Sequence, residues 1–290
     1  MGKRITIALS VVLVGVLGAA GAVVYLSFVR APANPPAEAC AAGRTADARP
    51  TVVAAGSSST QGTVGADWVG ALRKRPEHRE YQFVNAGING NTSADLRRRV
   101  DSDIVACHPA AVTILIGGND VLNDVPLAQY RDNLGAIVDR VTSRTGARIA
   151  LMSLVPIGED LDSELNQKVG AYNAVIKEIA TRAGADYLPA HERLAGLLRQ
   201  RGGEPAPYDF SFLLAFGAAA QHYLFGRSWD EIARNGGREL HVDHIHLNDR
   251  GGAVITDLVA QWLATTSAAG QATLAPVGGA PELPLPRPAE

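Results

Sequence analysis

The chain is poor in cysteine and in excess charge, and both shortages narrow the functions open to it. A formal net charge of -2 at pH 7, with no lysine- or arginine-rich block, offers no electrostatic footprint for a polyanion. Nucleic acid is therefore not expected as a partner. The histidines outside residues 244–246 form no pair at the spacing of metal ligands, so we predict neither a metal site nor a bound cofactor.

Charge is absent altogether from residues 5–29, a run of about 25 residues that is long enough to cross a hydrocarbon core of about 30 Å as a helix. A signal peptide needs an apolar region of only about 7 to 15 residues, which favours an uncleaved anchor. Lys3 and Arg4 favour a cytoplasmic N-terminus, whereas Arg30 on the other flank opposes it. We expect a single-pass protein of the cell membrane with an extracytoplasmic domain; the alternative is secretion after signal cleavage.

Cys40 and Cys107 are the only cysteines. An even pair in an exported chain is compatible with one disulfide, and two separate thiols are an equal alternative. A bridge would join the segment before the first predicted strand to the turn before the third.

The sequence between the anchor and the C-terminus alternates short apolar runs with amphipathic stretches. Strands are predicted at 50–56, 81–86, 110–117, 147–154 and 185–188, and helices at 66–75, 92–101, 127–142, 161–183, 191–200 and 249–264, with Asn248 as the N-cap of the last helix. Strict alternation predicts an α/β fold, a parallel sheet with helices on both faces. The predicted organisation is a transmembrane helix (1–30), a proline-rich linker (31–48), one domain (49–266) and an unstructured Ala/Gly/Pro-rich tail (267–290).

Polar segments follow the predicted strands at the sheet edge where functional groups gather in such folds. They are 56–60, 85–92, 117–120 and, near the C-terminus, 243–246. A serine among glycines or a lone asparagine is ordinary turn material. Asp243 and His246 are a stronger signal, because a carboxylate three residues before a histidine can reach a ring nitrogen and fix its tautomer.

These four segments, in this order, resemble the sequence blocks of the SGNH (GDSL-type) hydrolase family over residues 49–263. The resemblance implies a three-layer α/β/α fold with a flavodoxin-like parallel sheet of about five strands. It also implies a serine esterase or lipase-type acyl hydrolase in which Ser58, Asp243 and His246 form the catalytic triad. The family's oxyanion hole falls on the backbone N–H groups of Ser58 and Gly90 and on the Asn119 side chain.

One position departs from the family's pattern, since Ser57 stands where an aspartate usually precedes the nucleophile. This keeps two alternatives open. The same triad would serve an O-acyltransferase acting on a cell-envelope glycan, and the loss of the carboxylate is compatible with a catalytically weak binding protein of the same fold. His244, two residues before the expected base, is a competing but weaker candidate for that role.

An apolar stretch at 210–225 is predicted to form a helix in a long connection before the last block. It is read either as a helix packed on the domain or as a wall lining an acyl-chain pocket. At about 16 residues it is short for a second membrane span.

Overall fold

The computed structural model describes residues 2–40, 49–202 and 204–273, and five parallel strands form its central sheet. The strands are β1 Thr51–Gly56, β2 Gln82–Gly87, β3 Ala111–Leu115, β4 Arg148–Met152 and β5 Asp186–Leu188. Their order is β2-β1-β3-β4-β5 and each neighbouring pair is parallel, which is the flavodoxin-like order. The predicted fold class is confirmed.

Helices connect the strands and precede and follow the sheet. They are α1 Gly2–Val24, α2 Pro36–Ala39, α3 Ser58–Gln61, α4 Trp68–Lys74, α5 Ser93–Asp103, α6 Gly118–Leu122, α7 Leu127–Arg144, α8 Glu164–Ala183, α9 Ala190–Arg199, α10 Phe212–Phe225, α11 Trp229–Asn235 and α12 Asp249–Thr273. A π-helical segment, Tyr25–Val29, continues α1. Two groups of neighbouring helices flank the sheet: α7 contacts α5 and α8, and α12 contacts α4 and α9.

Local sequence signals explain where several helices begin. The Thr92 side chain accepts from the Asp95 N–H and the Asp95 carboxylate accepts from the Thr92 N–H, which forms a capping box at the start of α5. Asn248 caps α12 as predicted, because its Oδ1 accepts a hydrogen bond of 2.9 Å from the Gly251 N–H. The strands need no such signals, since their apolar side chains are buried on both faces.

Two apolar clusters hold the fold together. The larger one lies on both sides of the sheet and contains nearly all the apolar residues of the strands. The smaller one joins α10 and α11 to the C-terminal part of α1, with Val23, Val64 and Val242 among its fully buried members. The helix predicted at 210–225 thus packs by one face on this smaller cluster.

The N-terminal segment does not stand apart from the domain. Asn34 accepts from the Asn85 N–H at 3.1 Å and donates to the Phe83 carbonyl at 2.6 Å, which places residues 31–40 along the edge strand β2. A disulfide then joins Cys40 to Cys107, with the Cα atoms 4.8 Å apart. The rest of the predicted linker, residues 41–48, lies outside the described residues.

Expectations from the sequence can be compared with the structure near both ends of the chain. The helix over Arg4–Val29 has 26 residues and is long and apolar enough to cross a membrane. At the other end α12 continues to Thr273, nine residues past its predicted end at 264, so the first residues of the predicted unstructured tail are helical. Residues 274–290 lie outside the described part of the chain.

Candidate active site

The turn between β1 and α3 carries Ser58 at the first position of a short helix. Gly56 is required just before it, because a Cβ there would lie 2.1 Å from Thr60 Oγ1 and 2.5 Å from the Leu115 carbonyl oxygen. The turn is held from outside by Trp68 Nε1, which donates to the Ser59 carbonyl at 3.0 Å. Ser58 is therefore fixed at the carboxyl end of the sheet's central region.

Asp243 and His246 are in direct contact across one tight loop. Asp243 Oδ2 lies 2.7 Å from His246 Nδ1, while its Oδ1 accepts from the backbone N–H groups of His246 and Ile245 at 2.8 and 3.1 Å. Burial raises the pKa of this carboxyl, but the His246 ring and the backbone donors outweigh it, so the pKa of Asp243 lies below its usual value. The carboxylate is thus held ionised against the ring, and its partner nitrogen is fixed as Nδ1.

The loop that carries this pair is braced by a buried carboxylate from the β4–α8 connection. Glu159, 1% exposed at its side chain, accepts from the backbone N–H groups of Glu239, Leu240 and His241 at 2.7 to 3.1 Å. The Arg238 guanidinium also binds this loop, because it donates to the carbonyls of Gly236, His241 and Val242. The loop that carries Asp243 is therefore held in place by Arg238, which lies in the same loop, and by Glu159, which lies far from it in the sequence.

Gly90 and Asn119, which are expected to form the oxyanion hole together with Ser58, lie on two neighbouring loops. Gly90 has a φ of +73°, a left-handed conformation that L side chains rarely adopt, which explains glycine at this position. Asn119 is the second residue of α6, and its Nδ2 donates to the Asn91 carbonyl at 2.9 Å. That bond uses one of the two amide hydrogens and orients the other.

Two buried groups hold these loops in place. The Asp120 carboxylate, fully buried, accepts from the N–H and hydroxyl of Ser93 at 2.9 and 2.5 Å, which ties α6 to the start of α5. Arg99 of α5 donates to the carbonyls of Gly56 and Ala86 and to Asn91 Oδ1, each at 2.8 or 2.9 Å. One guanidinium thus joins the ends of β1 and β2 to the loop that follows Gly90.

A narrow cavity of about 40 Å³ opens between these loops. Ser58 and Asn119 both line it, and the other lining residues are mostly apolar: Leu115, Leu122, Leu154, Val155, Ile157 and Ile245. His246 borders the adjoining cavity beside Ser59. Within the described residues no hydrogen bond joins Ser58 Oγ to the His246 ring, a bond that often tightens only when substrate is bound.

The sequence profile of the GDSL-like Lipase/Acylhydrolase family matches residues 54–254, a span that contains Ser58, Gly90, Asn119, Asp243 and His246. The chain belongs to this family. The resemblance found in the four sequence blocks is thereby confirmed, and an ester hydrolase is the activity that the family supports.

Named relatives agree with this membership. Esterase TesA of Pseudomonas aeruginosa is 36% identical over 89 residues, which are 30% of this chain and 44% of TesA. The acetylxylan esterase of Geobacillus stearothermophilus is 32% identical over 108 residues, 34% of this chain and 49% of that protein. The matched part of the chain therefore spans about half or less of each curated relative.

A solved structure extends the likeness to the fold of the whole domain. LAE5, an α/β hydrolase enzyme from the metagenome of Lake Arreo in Spain, superposes with a TM-score of 0.55 over 75% of this chain and 95% of LAE5. Its sequence identity is 21%, so this likeness concerns the fold alone.

Two neighbours of the site were singled out in the sequence. His244 has a φ of +76°, packs edge-on against Tyr208 and leaves a buried Nδ1 without a hydrogen bond in the described structure. Ser57 is the N-cap residue of α3 and makes no side-chain capping bond. Among the described residues no group of three His, Cys, Asp or Glu side chains could hold a metal ion.

The sequence blocks of the family do not include Arg99 and Glu159. Glu159 lies in a loop with no pattern around it, so nothing local marks it. Arg99 carries a faint signal: it shares a helix face with Leu96 and pairs with Asp103 four residues later at 2.9 Å, whereas its neighbour Arg98 is exposed.

Proposed function

We propose that the protein is a serine-dependent ester hydrolase in which Ser58 is the nucleophile, His246 the general base and Asp243 the group that orients the base. The observation that carries this proposal is the 2.7 Å contact between Asp243 and His246 Nδ1, at the sheet edge where Ser58 and Asn119 share a cavity. With Nδ1 protonated and donating to the carboxylate, Nε2 is left as the proton acceptor.

The reaction follows from these roles. His246 Nε2 takes the Ser58 hydroxyl proton as Oγ attacks the ester carbonyl carbon, and the negative charge moves to the carbonyl oxygen. The N–H groups of Ser58 and Gly90 and the second amide hydrogen of Asn119 stabilise that oxygen. The protonated ring then gives its proton to the leaving alcohol, and water repeats the sequence to release the acid from the acyl-enzyme.

A short acyl group fits this site best. The cavity beside Ser58 is only about 40 Å³, its walls away from the serines and Asn119 are apolar, and no described residue of α10 lines it. An acetylxylan esterase is among the relatives. We therefore propose an acetyl-type group on a carbohydrate or small-molecule alcohol as the substrate class.

The helix over Arg4–Val29 is proposed as an uncleaved membrane anchor that leaves the catalytic domain on the extracytoplasmic side of the membrane. The Cys40–Cys107 disulfide supports this location, because disulfides persist in oxidising compartments.

The direct test is hydrolysis of a water-soluble short-chain chromogenic ester by the full chain in detergent. Ser58→Ala and His246→Ala are expected to abolish turnover, and Asn119→Ala to lower kcat by about a hundredfold or more with little change in KM. Ser59→Ala is the matched control, since Ser59 lies in the same turn and its role in it is through its backbone carbonyl. Equal turnover by the parent and Ser58→Ala would reject serine catalysis at this site.

A further inference from the structure

Helix α10 exposes a large apolar surface that the domain itself does not cover. It contains no Asp, Glu, Lys or Arg over fourteen residues. Its alanines are packed inward, whereas Phe212, Leu213 and Phe225 are 77%, 79% and 74% exposed, and Leu224 is 47% exposed. Exposed apolar side chains at both ends of one charge-free helix mark an interaction surface.

This surface is continuous with the proposed membrane anchor. Helix α10 packs against α1, and Val23 of α1 is fully buried in the cluster that contains Ala215, Ala218 and Ala219 of α10. Earlier turns of α1, by contrast, are exposed on every side. The anchor and α10 therefore meet only at the anchor's C-terminal end.

The length of the anchor places that meeting point at the bilayer boundary. Residues 5–24, at about 1.5 Å each, already span about 30 Å of hydrocarbon. Val23 then lies at the outer limit of the hydrocarbon core, followed by Tyr25, an exposed residue of the type enriched at membrane interfaces. Helix α10, packed at the same level, meets the lipid from the side of the domain.

The residues that follow the proposed anchor are also bonded to the loops at the carboxyl ends of the strands, the side of the sheet that is called its catalytic edge below. The Phe28 carbonyl accepts from Asn89 Nδ2 at 3.2 Å, and the Arg30 carbonyl accepts from Gln61 Nε2 at 3.1 Å. Gln61 Oε1 in turn accepts from the Asn89 N–H at 2.7 Å, directly before Gly90. The loops that carry the proposed oxyanion hole are thus held beside the point where the chain leaves the membrane.

We propose that the exposed face of α10 is inserted into the outer leaflet of the bilayer as an interfacial helix, with the catalytic edge of the sheet beside the lipid surface. This inference rests on the proposed anchor and on its orientation. A helix of this kind buries its apolar face about 5 to 10 Å into the boundary between headgroups and acyl chains. The consequence is that the enzyme takes esters presented at the membrane surface.

Basic side chains lie where lipid phosphates would meet the domain. Arg30, Arg73 and Lys74 line an open groove of about 620 Å³ between the anchor's exit and α4, with one acidic residue, Asp67, whose carboxylate caps α4. Cations at this level favour anionic headgroups. Charge and apolar surface therefore favour lipid over a soluble protein as the occupant.

The test uses the full chain reconstituted in phospholipid vesicles. Because both native cysteines are in the disulfide, an introduced cysteine is the single thiol available to an environment-sensitive fluorophore under non-reducing conditions. Labels at Leu213→Cys on α10 and Leu17→Cys in the anchor are compared with Ala171→Cys on the water-exposed face of α8. Spin-labelled lipids that quench at shallow or deep positions report the depth of each label.

The proposal predicts that the label at 213 is quenched most by the shallow lipid, the label at 17 most by the deep lipid, and the label at 171 by neither. Deep quenching at 17 with none at 213 would overturn the inserted α10 while leaving the anchor intact. No quenching at 17 would reject the anchor and this inference together. A blue-shifted but unquenched label at 213 would mean that protein, such as a second copy, covers the helix.

Ester hydrolysis is measured on the same samples with a soluble substrate. Its loss in all samples concerns the catalytic proposal, whereas quenching concerns the membrane proposal, so the two failures are distinguishable. A charged pair, Phe212→Glu with Leu224→Glu, added to the Leu213→Cys variant, is expected to abolish quenching of the label by the shallow lipid and to leave turnover of the soluble ester unchanged.

Discussion

Arg99 shows how one side chain outside the family's blocks can position several parts of the proposed active site. Its guanidinium meets the last residues of β1 and β2 and the Asn91 side chain, and the Asn91 carbonyl in turn receives the Asn119 amide. Lysine in this place would carry the charge but not the planar fork that reaches several acceptors at once. The residue therefore acts through geometry more than through charge.

Arg99→Lys is expected to lower kcat by about tenfold to a hundredfold, since small displacements of catalytic groups have effects of this size. KM should change much less, because Arg99 does not line the cavity beside Ser58. Steady-state kinetics on the soluble ester measure both. Arg98→Lys is the matched control, because Arg98 is 72% exposed and contacts only Asp95; equal effects of the two changes would contradict the positioning role.

His244 gives a prediction about pH and stability. Burial lowers its pKa below the usual value, and burial does the same to the pKa values of His78 and His191. The unfolded chain therefore takes up protons first as pH falls through about 6.5, so stability is full above that pH and declines below it. Asparagine tolerates the left-handed backbone at position 244 and does not titrate.

His244→Asn is therefore expected to reduce the drop in melting temperature between pH 7.5 and pH 5.5 while keeping ester turnover at pH 7.5 close to that of the parent. Thermal unfolding of the detergent-solubilised chain at the two values measures the drop. An unchanged drop would contradict the titration of His244, and lost turnover would restore it as a candidate base.

The proposed catalytic residues could be named from the sequence because they belong to short blocks, whereas the residues that position them could not. Each proposed catalytic residue lies in a short segment that can be recognised by itself: Ser58, Gly90 and Asn119 in one segment each, and Asp243 and His246 together in a fourth. Glu159 contacts a loop about 80 residues away, and its partners there are backbone N–H groups that any sequence would supply. No pattern of residue types can mark a contact of that kind.

At the scale of elements, Glu159 holds the loop at residues 239–246, called the histidine loop below, by accepting from its backbone N–H groups. Burial raises the pKa of this carboxyl, but the bond to His241 and the backbone donors outweigh it and lower the pKa. Glu159→Gln removes the charge and turns an amide NH₂ toward N–H donors. We expect a loss of about 3 to 5 kcal/mol in the free energy of unfolding, the usual result of removing one partner from a buried charged network.

Chemical denaturation of the detergent-solubilised chain measures this loss. Glu178→Gln serves as the comparison, because Glu178 is half-exposed and pairs with Arg131 at the surface, where such pairs contribute about 1 kcal/mol or less. Similar losses in both variants would show that the histidine loop does not depend on Glu159.

The periodicity of the sequence predicted where helices and strands lie more closely than it predicted what surrounds them. Each of the five predicted strands overlaps an observed one, with ends within two residues, because buried parallel strands are short apolar runs bounded by turns. The length of α12 was underestimated, since residues 265–273 lack apolar periodicity and contain Thr, Ser and Gly, which are weak helix formers. The sequence also did not predict what the exposed face of α10 contacts, because an apolar composition suits a protein surface and a lipid surface equally.

At the scale of the whole molecule, covalent and non-covalent bonds fix the N-terminal segment to the domain. The disulfide closes a sequence separation of 67 residues that contains β1, β2 and Ser58. Next to it, Asn34 bonds to the edge strand, and the Phe28 and Arg30 carbonyls bond to the loops of the site. With the proposed membrane anchor, these bonds would keep one face of the domain toward the membrane.

Loss of the disulfide should therefore weaken both stability and the fixed orientation. In the chain-entropy account a closed loop of this length contributes about 4 kcal/mol, so Cys40→Ala with Cys107→Ala is expected to lower the free energy of unfolding by about that amount. Reductant should lower the parent to the same level and have no effect on the double variant, which separates the disulfide from general effects of the reagent. Equal sensitivity of both proteins to reductant would contradict the bridge, whereas a destabilised but active double variant would show that β2 and its bonds to Asn34 suffice to place the catalytic edge.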